Sequence, residues 1–143
     1  MINLMVTFFF VGRLKPAPGT WGSLAAILIG YVLIIVIPPV MFALAICLVF
    51  FGGWYATHLA TMDQVDHDPG YIVIDEVAGQ WVAILPLAFI GPDPIAAAIA
   101  FVAFRAFDIL KPGPIGWADR RGDAFGVMFD DVIAGAFAAV FVF

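Results

Sequence analysis

Asp75-Glu76 and Asp130-Asp131 are the residues of this chain best placed to do chemistry: two pairs of adjacent carboxylates, each at the edge of an apolar run. An ionised acid inside a membrane helix costs about 2.5–3.5 kcal/mol, so something must offset it, and a divalent cation is a good candidate. Gly79, four residues after Asp75, leaves a gap on the same helix face where a ligand or another backbone can approach. The plainer alternative is that the acids mark a helix N-terminus, where the helix dipole favours them. In the second doublet, adjacent helical side chains point about 100° apart. One acid can then bind metal while the other binds a cation or caps a helix.

Two further groups surround these doublets. In Phe104-Arg-Ala-Phe-Asp-Ile-Leu-Lys-Pro-Gly-Pro, Arg105 and Asp108 are spaced to pair across one helical turn, and Lys111-Pro112 ends that helix. Lys111 beside Asp108 is the better phosphate ligand, whereas Arg120 and Arg121 fit positive-inside anchors equally well. Near the start, Gly19, Thr20, Gly22 and Ser23 precede an apolar span. Small residues there expose backbone N–H groups as an anion site, to which Lys15 adds charge. His67 lies between Asp66 and Asp68 in a polar loop, as a solvated residue, a metal ligand or an acid–base group, and Asp68 either assists a metal or organises the turn before Pro69-Gly70. With no His/Cys cluster at zinc spacing, oxygen ligands point to a hard ion, Mg²⁺, which binds a few carboxylates together with substrate phosphate.

These groups must be positioned by a membrane bundle. The chain has 143 residues, 64% hydrophobic and only 12% charged, with a net charge of −5. That composition indicates one all-α integral membrane domain, residues 1–143, and argues against a nucleic-acid partner. Five spans are expected, Trp21 to Ile37, Val40 to Ala60, Val77 to Ile90, Ile95 to Leu110 and Phe125 to Phe143, packed as a compact bundle. The third is short unless it begins near Ile72 and carries Asp75 and Glu76 within it. The stretch Ile2 to Val11 is too short to span and either lies in the interface or dips in and returns. Tight Pro-rich turns alternate with charged linkers, so the Gly12–Thr20, Thr61–Tyr71 and Lys111–Ala124 segments share one face. All six Lys and Arg sit on or near it, which makes that face cytoplasmic. The single cysteine, Cys47, has no internal disulfide partner. No removable signal peptide is expected at the N-terminus.

Four motifs in collinear order resemble the phosphatidylglycerophosphatase A family of bacterial membrane phosphatases. They are Pro16-Ala-Pro-Gly-Thr-Trp-Gly-Ser-Leu-Ala-Ala; Asp68-Pro-Gly with Ile74-Asp-Glu-Val-Ala-Gly-Gln-Trp; Phe107-Asp-Ile-Leu-Lys-Pro-Gly-Pro-Ile; and Gly126-Val-Met-Phe-Asp-Asp-Val-Ile-Ala-Gly. The resemblance implies Mg²⁺-dependent conversion of phosphatidylglycerophosphate to phosphatidylglycerol at the cytoplasmic face of the inner membrane. Read together with the residues, it makes Asp75, Glu76, Asp108 and Asp131 the expected catalytic acids, with Asp130 or Asp68 assisting them in holding one or two Mg²⁺. Lys15, Thr20, Arg105 and Lys111 are the expected substrate contacts. The rival is a small cation carrier or channel, which would set acids near the middle of spans instead of close to one face.

Overall fold

The computed structural model describes residues 1–66 and 68–143, and His67 lies outside the described residues. Among the described residues there are seven α-helices, α1 (Ile2–Val6), α2 (Pro18–Val36), α3 (Pro39–Thr61), α4 (Ile74–Ile90), α5 (Pro94–Leu110), α6 (Pro114–Asp119) and α7 (Ala124–Ala139), and no strand. Proline opens α2, α3, α5 and α6, where its missing N–H costs nothing and its fixed φ suits the first turn. Asp93, the one charge standing apart from the others, caps α5: its carboxylate accepts from the N–H groups of Ile95 (2.8 Å) and Ala96 (3.3 Å).

Three helical stretches, Pro18–Val36, Pro39–Thr61 and Ala124–Val142, are long and apolar enough to cross a membrane. The other two expected spans, α4 and α5, are 17 residues each, at the short end of the spanning range. The outward faces are apolar. Leu28 and Val32 on α2, Leu44 and Leu48 on α3, and Ile99 and Val102 on α5 are all exposed, a distribution suited to lipid.

Helix α4 is the hub, packed against α2, α3, α5 and α7. It begins at Ile74, three residues before the expected start, which puts Asp75 and Glu76 in its first turn. Its tightest neighbour is α7. A Cβ on Gly79 would come within 2.5 Å of both the Asp131 carbonyl oxygen and Phe104 Cε2, and a Cβ on Gly135 would fall on the Gly79 carbonyl oxygen. The two backbones therefore touch through glycine, as small residues allow in membrane bundles. Because Asp75 precedes Gly79 by one helical turn and Asp131 precedes Gly135 by one turn, the same crossing sets the two acids face to face. The gap that Gly79 leaves is filled by another backbone.

The first eleven residues fold back. After α1, Phe8, Phe9 and Phe10 take successive positive φ values of 44°, 56° and 68°, an unusual left-handed run for bulky residues. Thr7 holds the reversal, with its hydroxyl accepting from the Phe10 N–H at 3.1 Å and donating to the Asn3 carbonyl at 2.5 Å. The Val73 N–H then donates to the Val6 carbonyl at 2.8 Å, which ties this segment to the entrance of α4. In the charged linker, α6 was not anticipated: a six-residue helix started by Pro114 occupies what reads as a loop.

Candidate active site

Asp75, Glu76 and Asp131 each turn a carboxylate oxygen to a common point, and these atoms lie within 4.8 Å of one another. Asp75 and Asp131 are buried, and Glu76 is half-buried. One oxygen of each, Asp75 Oδ1, Glu76 Oε2 and Asp131 Oδ2, is buried without a hydrogen-bond partner. Buried acids left in this state are costly unless something compensates them. Three converging carboxylates, each with a buried oxygen left without a partner, fit a hard divalent cation well.

The second acid of each expected set has a different neighbour. Asp130 Oδ2 accepts from Lys111 Nζ at 2.5 Å, and Lys111 also donates to Asp119 Oδ1 at 2.7 Å. The α7 doublet is thus divided as its 100° spacing allows: Asp131 joins the acidic cluster and Asp130 anchors a lysine. Asp108 Oδ2 accepts from Arg105 at 2.5 Å, while its other oxygen lies 4.0 Å from Lys111. Arg105 also stands 4.0 Å from Glu76, so it links α5 to the first turn of α4. Burial works against the Lys111 ammonium, but its hydrogen bonds to Asp119 and Asp130 prevail and hold its pKa above the ordinary lysine value. The left-handed conformation of Lys111 at the end of α5 (φ 47°) turns the chain toward α6 at this point.

Asp68 stays outside the cluster. The residue is exposed as a whole, yet protein crowding its carboxyl raises the pKa against the pull of Lys111. Its N–H donates to Asp66 Oδ1 at 3.0 Å, so Asp66 supplies the turn. Lys15 is exposed and lines a separate cavity with Arg13 and Tyr71. Thr20 is half-buried in the first turn of α2.

The glycine-rich entry to α2 acts through packing. A Cβ on Gly19 would meet Glu76 Oε1 and come within 3.3 Å of the Arg105 guanidinium. Ser23 receives a hydrogen bond from Arg105 at 3.3 Å and donates to the Gly19 carbonyl at 2.9 Å. The motif therefore seats Glu76 and Arg105. Gly19→Ala should push Glu76 aside and lower turnover roughly ten- to a hundredfold, the loss expected when a carboxylate of the acidic cluster is displaced from its support. Steady-state rates beside a thermal melt check this, with the melting temperature expected to move little because Glu76 is the flexible partner.

Two participants escaped sequence reading and a third was read in another role. Asp119 reaches Lys111 only because α6 folds back. Ser23, expected to help expose backbone N–H groups, instead reaches Arg105 across 82 positions of chain. Gln80, fully buried with both amide atoms unpartnered, lies one turn after Glu76, and its place on that polar face was the one available signal.

The family model of phosphatidylglycerophosphatase A matches residues 4–143. A protein of Haemophilus influenzae named phosphatidylglycerophosphatase A is 39% identical over 143 residues, covering 99% of this chain and 86% of its own length. The protein of that name from Escherichia coli is 38% identical over 138 residues, covering 96% of this chain and 78% of its own. A relative from Bacteroides thetaiotaomicron, with the provisional name phosphatidylinositol-3-phosphatase, is 32% identical over 148 residues, 97% of this chain and 89% of its own. No solved structure gives a significant match. A full-length match with all four motifs in order places this chain in the phosphatidylglycerophosphatase A family.

Proposed function

We propose that this protein removes the terminal phosphate of phosphatidylglycerophosphate, using Mg²⁺ at the acidic cluster, on the cytoplasmic face of the inner membrane. The supporting observation is the convergence of three carboxylates, each with a buried, unpartnered oxygen, in a chain of this family. In this reading α4 and α5 also cross the membrane, short as they are, giving five spans. The cytoplasmic orientation rests on the cations: Arg13, Lys15, Arg105, Lys111, Arg120 and Arg121 all belong to one end of the bundle.

Hydrolysis joins a water oxygen to phosphorus and breaks the phosphorus–oxygen bond to the head-group glycerol, which leaves with a proton. Asp75, Glu76 and Asp131 would hold the cation, which supplies Lewis-acid neutralisation of phosphoryl charge when bound. Asp108, gripped by Arg105, stands beside this cluster as the next carboxylate available to it. An ammonium has three donors, and two of those on Lys111 are engaged by Asp119 and Asp130, leaving a third for a phosphoryl oxygen. Arg105 holds Glu76 and Asp108 in place and adds positive charge. Asp130 and Asp119 keep Lys111 aimed.

The test is phosphate release from phosphatidylglycerophosphate by purified protein, in Mg²⁺ and then in EDTA. Release that stops with EDTA and returns with added Mg²⁺ is the expected result. No release from folded protein in Mg²⁺ overturns the assignment. The name of the Bacteroides relative makes phosphatidylinositol 3-phosphate the substrate to compare.

A further inference from the structure

The cavity that contains Lys15 is separate from the acidic cluster but shares a wall with it. It has a volume of about 740 Å³ and is lined by Asn3, Arg13, Lys15, Pro18, Gln64 and Tyr71, among others. Its cations have no carboxylate partner among the described residues: Lys15 is in no ion pair, and Arg13 only lies over the Phe10 ring, 5.1 Å from its centroid. In a chain with eleven acids and six Lys and Arg, two neighbouring cations without carboxylate partners are notable. The other polar groups are neutral: the Asn3 amide, and Tyr71, whose hydroxyl accepts from Gln64 at 3.1 Å. Such a lining suits an anion.

The common wall runs through two short pieces of chain. Pro18 faces the cavity, and the next residue, Gly19, is packed on Glu76. Tyr71 also faces the cavity, and Asp75 follows four residues later through Val73, against which Gly12 and Gly22 are packed. The cavity and the carboxylate cluster are therefore adjacent stations at one end of the bundle. On the other side of α1, an apolar cavity of about 310 Å³, lined by residues including Met5, Phe9, Leu48 and Ile74, offers a surface for an acyl chain.

We infer that the Arg13–Lys15 cavity binds the second anion of the lipid substrate, the phosphodiester that joins its head group to diacylglycerol. The inference rests on the proposed function. A lipid with a terminal phosphomonoester and an inner phosphodiester separated by one glycerol presents two anions in series, and the protein presents two adjacent stations for them. The carboxylate cluster can receive an anion only with a cation, whereas the cavity carries its own positive charge. Discrimination between phosphatidylglycerophosphate and a lipid with a monoester alone would then lie in Arg13 and Lys15.

The experiment measures kcat and KM on short-chain phosphatidylglycerophosphate in neutral detergent micelles. It compares wild type with Arg13→Gln, Lys15→Gln and Arg120→Gln, the last removing an exposed cation from the same end of the bundle. Loss of one charge-assisted contact should raise KM about tenfold in each cavity variant, with kcat within about twofold of wild type. Both cavity positions are exposed, so melting temperatures should match wild type and report folding independently. Unchanged KM in both cavity variants, a loss confined to kcat, or an equal rise in Arg120→Gln overturns the inference. In the last case the effect is general surface charge. Wild type that releases no phosphate overturns the proposed function itself, a result distinct from each of these.

Discussion

Asp131→Asn is expected to reduce phosphate release by roughly a thousandfold or more, since several kcal/mol of charge stabilisation disappear at about 1.4 kcal/mol per factor of ten. The side chain keeps its shape and stays buried, so the bundle should remain folded. Stability provides a second, opposite readout. Without metal, Asp75, Glu76 and Asp131 crowd acidic oxygens within 4.8 Å, and a neutral amide relieves that crowding. In EDTA the variant should melt no lower than wild type, whereas in Mg²⁺ wild type should gain stability and the variant should gain little. A variant that turns over near the wild-type rate would remove Asp131 from the centre.

The second large effect belongs to the helix crossing. In Gly135→Ala the new methyl group would fall on the Gly79 carbonyl oxygen and within 3.1 Å of Val82 Cβ. Backbone cannot swing aside as a flexible side chain can, so α4 and α7 must separate. The loss should be about 3 kcal/mol, the upper part of the usual overpacking range, or roughly 10 °C in melting temperature for a chain of this size. Activity should fall further than stability alone explains, because the same crossing brings Asp75 opposite Asp131. Thermal unfolding in detergent, with rates measured below the transition, separates the two effects. A melting temperature within about 2 °C of wild type would show that the crossing has slack.

Much of the site was legible because the chain is so apolar. A carboxylate in a hydrophobic run demands a physical reason, and the fold brings Asp75, Glu76 and Asp131 together. The role of Gly79 was visible as a gap on their helix face, though its filling by the α7 backbone depends on Gly135, 56 residues further along the chain. The Asp108–Arg105 pair followed from helical spacing alone. The partition of Asp130 to Lys111 and Asp131 to the cluster was foreseen as a possibility, but which acid took which partner depended on how α7 is rotated. Asp119 was not legible as a partner: its approach to Lys111 depends on α6, a helix too short for a periodic signal. Lys15 illustrates the limit of reading charge by proximity in sequence. It is near Gly19, which touches Glu76, yet its side chain faces the neighbouring cavity. The return of the N-terminus was one of two readings of Ile2 to Val11, and the sequence did not choose between them because three consecutive phenylalanines give no hint of left-handed backbone.

Direct titration of Mg²⁺ into detergent-solubilised protein, wild type beside Asp75→Asn, tests most directly whether Asp75, Glu76 and Asp131 form one cation site. Heat or a melting shift that saturates with wild type and is absent from the folded variant is the result this account predicts. Equal binding by both proteins would contradict it and place the cation elsewhere.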